Sequence, residues 1–136
     1  MDAHAKKLKD CTVVLLSSAG IALKADRPFD QEGERLNPWW GDPSCRILPA
    51  GATEQDVRLY HLHIDPSYAE RDLNCLFPLG RLKELELAGE IGHTAPRHYS
   101  ILGYFLRPEV LLRETVPAII EHLRADKVDA VVLAPT

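Results

Sequence analysis

Two short apolar runs constrain the fold more than anything else in this chain: "TVVLL" at residues 12–16 and "AVVLAP" at 130–135. Both are rich in β-branched residues and too short for a buried helix. An uninterrupted apolar run of this kind is the pattern of a parallel strand covered on both faces. The first run breaks into "SSAG" (17–20), which reads as a ligand-facing turn. The second follows the longest helical pattern, "RPEVLLRETVPAIIEHLRAD" (107–126), whose apolar stripe is Leu112, Val116, Ile119, Ile120 and Leu123. Pro108 suits the start of that helix. Pro117 lies inside the stripe, lacks a backbone donor, and is expected to kink or split it.

Between the two runs the signals are shorter. Residues 78–92 place Leu79, Leu82 and Leu85 at helical spacing, with Gly89 as the stop. Residues 52–64 alternate, so that Val57, Leu59, His61 and His63 would share one strand face. Asp65 and Pro66 then suit the start of a short helix. Residues 95–105 read as either a strand or an extended segment. Residues 21–51 have no helical period and contain Pro28, Pro38, Pro43 and Pro49, so a long loop is expected, ordered by Trp39 and Trp40, with 46–48 a short strand.

Strands alternating with helices predict a three-layer α/β fold. Its sheet should be mainly parallel, flanked by helices like half of a flavodoxin or Rossmann-like domain, and incomplete. The domain should span residues 11–136 behind a flexible tail at 1–10. With 136 residues and 46% hydrophobic content, one core is the expectation.

A net charge of −4 and a pI near 5.8 argue against a nucleic-acid or anionic-membrane surface. No apolar run approaches the ~20 residues of a membrane span. The first ten residues lack the apolar core of a secretory signal. A soluble cytoplasmic protein is expected. Cys11, Cys45 and Cys75 are an odd set without Cys-x-x-Cys spacing, which fits neither a disulfide framework nor a zinc site.

Three stretches bear chemistry. "HLHID" would put His61, His63 and Asp65 on one face if the strand persisted, a possible metal set. The alternative is hydrogen-bonded residues at a strand end, near substrate. "SSAG" offers the hydroxyls of Ser17 and Ser18 and free N–H groups for an anion or carboxylate, or is simply a strand-ending turn. "GDPSCR" (41–46) offers Arg46 either to a carboxylate ligand or to an internal pair with Asp42. Dinucleotide, P-loop and nucleophile-elbow patterns are absent. Cys75 reads as a buried structural residue.

Taken in order, "GDPSCRILP", "HLHIDPSYAERDLNCLFPLGRLKEL", "GEIGHTAPRHYSILGY" and "VDAVVLAPT" resemble the selenoprotein B family. These are subunits of the glycine, sarcosine, betaine and D-proline reductases, and the chain is most similar to the D-proline type. The resemblance covers nearly everything from about Cys11 onward. It implies reductive cleavage of a C–N bond at an amino-acid α-carbon. It also implies a selenocysteine, or a cysteine, directly after the segment that ends here in Thr136. A pyruvoyl group on a partner subunit and a dithiol or thioredoxin-like electron donor complete the implied machinery.

None of the cysteines here occupies that redox position. The expectation is therefore the front portion of such a subunit, inactive alone, interrupted where a selenocysteine codon is read as a stop. A stand-alone small-molecule binding domain and a subunit-interaction module are the alternatives. Ser17, Ser18, Arg46, His61, His63 and Thr136 are the candidate substrate-binding residues, with an amine or amino acid as ligand and no metal. An uncovered sheet edge should make the chain a homo-oligomer.

Overall fold

The computed structural model describes residues 6–37, 40–104 and 106–136. Trp39 and the first half of the expected tail lie outside the described residues. Strand β1 (Thr12–Ser17) is central. On one side it pairs in parallel with β7 (Ala130–Ala134), in register from Val13↔Ala130 to Ser17↔Ala134. On the other it pairs in parallel with β5 (His93–Thr94) and then β6 (Arg97–Ile101), two segments separated at Ala95 and Pro96. Strand β3 (Cys45–Pro49) closes that side antiparallel to β6. Within the stretch left open between strand and extended segment, Arg97–Ile101 is a strand.

Helix α3 (Leu79–Leu87) covers one face of the sheet, where Leu79 and Leu82 meet Val13, Leu15, Phe77 and Ile91. Helix α4 (Val116–Ala125) covers the other, where Ile119 meets Val14 and Tyr99. Alternate residues of β1 therefore enter different cores, which is why its run is apolar without interruption. Full burial of such a side chain stabilises by about 1.5–3 kcal/mol. The fold is α/β, three-layered and mainly parallel.

The expected break at Pro117 takes the form of a π-type turn inside a helical run that is continuous over 109–125. Residues Leu111–Thr115 form a π-type turn in which the Val116 N–H reaches Leu111 O, and α4 begins directly after it. The wider turn precedes the missing proline donor, and Pro117 falls in the first turn of α4, where no donor is needed.

Two expectations are corrected. The stretch 21–51 is not all loop. It contains β2 (Ile21–Leu23) and α1 (Gln31–Leu36), a helix capped by Asp30, whose Oδ1 accepts from the Gly33 N–H at 2.9 Å. The strand expected over 52–64 is only β4 (Val57–Leu59), antiparallel to β2. The pairing reaches one step further in the same register, where the Tyr60 N–H donates to Gly20 O at 2.8 Å. Beyond it His61 Nδ1 accepts the His63 N–H at 3.2 Å, and residues 62–64 turn.

Helix α2 (Ser67–Arg71) follows, with Asp65 Oδ1 accepting the Ser67 N–H at 2.9 Å. At the amino end, residues 8–10 form a single 3₁₀ turn, and Lys6 Nζ reaches Asp129 Oδ2 at 2.6 Å. Among the described residues, no helix is long and apolar enough to cross a membrane.

Candidate functional site

Parallel strands present their ligand sites beyond their carboxyl ends, and here β1, β6 and β7 end together. Ser18 follows β1, and its Oγ accepts the Thr136 N–H at 2.8 Å. Gly103, just past β6, packs flat on Ser18: a Cβ there would lie 2.8 Å from Ser18 O and 3.0 Å from Ser18 Cβ. Only glycine allows that approach. Tyr104 comes next, with its ring centroid 5.0 Å from that of His63. His63 Nε2 lies 3.0 Å from Glu34 Oε1, and the His61 ring stands edge-on to His63 at 5.7 Å. An unbroken series of contacts thus runs from Thr136 to Glu34.

The candidate residues separate by what they touch. Ser17 is fully buried; its Oγ donates to Leu76 O at 3.1 Å and accepts the Ala19 N–H at 3.2 Å. Its hydroxyl ties the end of β1 to the segment before α3. Ser18, one residue on, points to the opposite face and borders a shallow groove of about 180 Å³ with Leu16, Leu133, Ala134 and Pro135.

Arg46 is buried and committed internally. Its Nε donates to Arg27 O at 2.7 Å, Nη1 to Ser44 Oγ at 2.8 Å and Cys45 O at 2.9 Å, and Nη2 to Pro28 O at 2.9 Å. Asp42 Oδ2 stands 3.9 Å from Nη2, and the guanidinium lies over the Phe29 ring at 4.2 Å. Of the two roles the sequence leaves open for Arg46, this geometry is that of the internal staple.

His61, His63 and Asp65 do not share a strand face, because the chain turns at 62–64 and the Asp65 carboxylate accepts the Ser67 N–H ahead of α2. Among the described residues, no group of three His, Cys, Asp or Glu is arranged to hold a metal ion. Burial draws the His61 imidazole below its ordinary value, aided by the His63 charge and opposed by Glu34. Cys75 is exposed, contrary to the buried role expected of it, while Cys11 is buried and Cys45 half-buried. Burial pushes the Cys45 thiol up, away from the reactive thiolate.

Two residues of the corner carry no local signal. Glu34 belongs to the short helix within the supposed loop and meets His63 only through the tertiary fold, 29 positions away in sequence. Tyr104 sits in a segment of undecided type. A further concavity lies elsewhere, about 530 Å³ between β4 and α2, lined by Lys24, Arg58, Glu54 and Glu70 among others. It contains none of the strand-end residues, and its charges are mixed in sign.

Residues 2–136 match the family described as glycine/sarcosine/betaine reductase selenoprotein B. The chain belongs to that family. It is 34% identical over 128 residues to the D-proline reductase subunit gamma of Acetoanaerobium sticklandii, covering 94% of this chain and 50% of that protein. It is 28% identical over 134 residues to the glycine reductase complex component B subunit gamma of Carboxydothermus hydrogenoformans, covering 96% of this chain and 29% of that protein. The chain thus spans half or less of the length of these relatives. No solved structure matches it.

Proposed function

We propose that this chain is the amino-terminal portion of a cytoplasmic selenoprotein B-type subunit that reductively cleaves a C–N bond of an amino acid, of the D-proline or glycine type. The redox residue, selenocysteine or cysteine, would follow Thr136, and the chain alone would be inactive. The observation that carries this reading is the convergence of β1, β6 and β7 on one corner, in a chain that matches the family over residues 2–136. A residue after Thr136 would emerge beside Ser18, which already grips the Thr136 N–H. The Ser18 hydroxyl and the imidazoles suit the polar groups of a small amine, and the apolar groove suits its carbon skeleton.

The redox residue supplies a low-pKa nucleophile. A pyruvoyl group on a partner subunit would activate the amine, and a thiol donor would supply electrons. The residues of this chain form the wall: the Ser18 hydroxyl holds the Thr136 N–H after β7, Gly103 lets the chain after β6 pack on Ser18, and Tyr104 next along lies against His63.

The test is the DNA beyond the Thr136 codon. An in-frame UGA followed by coding sequence for an α/β continuation containing cysteine is expected. A different stop codon, or no such extension, would overturn the truncation. A full-length version should then reduce D-proline or glycine with a dithiol and its partner subunit, whereas residues 1–136 should not.

A second reading, a subunit-interaction module without catalysis, is favoured by one observation. Strand β7 is a sheet edge with Val131 and Val132 each 42% exposed and Leu133 68% exposed. Such an apolar edge pairs readily with another chain. Sedimentation velocity should show reversible self-association of the 136-residue chain, and Val132→Lys should shift it toward monomer. A strictly monomeric wild type across a wide concentration range would remove the homo-oligomer from the proposal.

A further inference from the structure

We propose that Glu34 and His63 form a carboxylate–imidazole pair that exchanges a proton with the ligand held at the strand ends. His63 would be the exchanging group, through Nδ1, and Glu34 its positioning residue. The identity of the proton acceptor rests on the reading above; the pair itself does not.

Three buried charged side chains make the contrast. Asp42 and Arg46 are matched: Asp42 accepts from the Asp30 N–H, the Ser44 N–H and the Ser44 hydroxyl, and Arg46 spends its donors on four named acceptors. Their role is structural and complete. Glu34 is different. It is 5% exposed, its Oε1 meets His63 Nε2 at 3.0 Å, and its Oε2 is fully buried with no hydrogen-bond partner among the described residues.

Burying a carboxylate with one oxygen unpartnered is unfavourable. A purely structural tie between α1 and the 60–64 segment would not need it, since Gln31 Nε2 already donates to Tyr60 O at 2.7 Å. The partner of Glu34 is also unlike a core residue: the His63 side chain is 56% exposed. A buried carboxylate behind an open imidazole fixes the tautomer. Oε1 accepts the Nε2–H, and Nδ1 is left with its lone pair on a largely exposed ring. Tyr104 and His61 hold the ring from two sides.

The chemistry is consistent with that arrangement. Reductive cleavage of a C–N bond consumes two electrons and two protons. A dithiol is oxidised to a disulfide, a C–H bond and an N–H bond form, and the C–N bond breaks. The departing nitrogen must receive a proton as that bond breaks. An imidazolium whose Nδ1–H faces the ligand can deliver it and recover the proton from solvent, while Glu34 stabilises the charged ring throughout.

The experiment has two parts that fail separately. Long-range proton–nitrogen correlation spectra of the 136-residue chain at neutral pH should show His63 almost wholly as the Nε2–H tautomer. That preference should weaken in Glu34→Ala while exposed His93 stays unchanged. A solvent-like tautomer mixture at His63 in the wild type would overturn the pair.

In the full-length enzyme with its partner, His63→Ala should lower kcat by about 10²-fold or more, with part of the loss restored by added imidazole. Glu34→Gln should lower kcat about tenfold with KM little changed. His63→Ala retaining kcat within twofold would overturn the proton-transfer role while leaving the reductase reading intact. If the wild-type full-length enzyme cleaves no C–N bond, the reductase reading fails instead, and the tautomer measurement alone decides the pair.

Discussion

Replacing Arg46 with alanine is expected to lower the free energy of unfolding by about 3–5 kcal/mol, the usual cost of removing one member of a buried ion pair. The guanidinium is 5% exposed and ties the 27–28 segment to the 44–46 segment. It binds the carbonyls of Arg27 and Pro28 before α1, the Ser44 hydroxyl at the start of β3, and its own neighbour Cys45 O. Alanine would leave the Arg27 and Pro28 carbonyls without this donor, uncover the Phe29 ring, and strip Asp42 of its counter-charge.

Asp42 is 4% exposed. Burial raises its carboxyl, but the Ser44 hydroxyl, the Asp30 and Ser44 N–H groups and the Arg46 charge outweigh that and hold it below the usual carboxylate range. Urea denaturation at neutral pH should show a lower midpoint with an unchanged slope. Arg46→Lys should recover only part of the loss, because a point charge cannot replace a planar fork of donors. A midpoint near wild type in Arg46→Ala, paired with weakened ligand binding, would return Arg46 to the substrate-binding role.

How much of this was legible in the sequence depends on whether the cause was local. The runs that became β1 and β7 were readable because a strand covered on both faces needs apolar residues at every position. The irregularity at Pro117 was readable because a missing donor acts at one known place, although the helix widens into a π-type turn there rather than breaking. Strand β2 and helix α1 were not. The first is three residues long and exists by pairing with β4; the second is held by the Asp30 cap and by the bond from Gln31 to Tyr60. Alternation at 52–64 misled for a related reason, since the pattern cannot report that His61 captures the His63 N–H and turns the chain.

The corner divides the same way. Neighbouring strand residues face opposite sides, so Ser17 and Ser18, equivalent as letters, end in a buried tie and at an open groove. Thr136 and His63 were visible as chemistry near strand ends. Glu34 was invisible because its partner lies 29 residues on, across a stretch with no regular pattern. The family match over residues 2–136 identifies relatives but does not by itself say which side chains converge. That information comes from the packing of Gly103 on Ser18 and of Tyr104 on His63.

The second large effect is expected at His98. Where Pro96 interrupts the backbone ladder on that side of β1, the Leu15 N–H is satisfied by His98 Nδ1 at 3.0 Å. The imidazole is fully buried, meets the Phe77 ring edge-on at 6.4 Å, and has its Nε2 unpartnered. Burial draws its pKa down from 6.5 to about 4. The folded value lies below the unfolded one, so the unfolded chain binds the extra proton first as pH falls. The neutral ring's contribution is complete above pH 6.5 and is lost progressively as pH drops toward 4. At about 1.4 kcal/mol per pH unit, the loss over that window is about 3 kcal/mol. The urea midpoint of the wild type should therefore fall steadily from pH 6.5 to 4. His98→Asn keeps an acceptor near the Nδ1 position and does not titrate, so its midpoint should be lower at pH 7 but much flatter across the window. An equally steep slope in His98→Asn would assign the acid sensitivity to other groups.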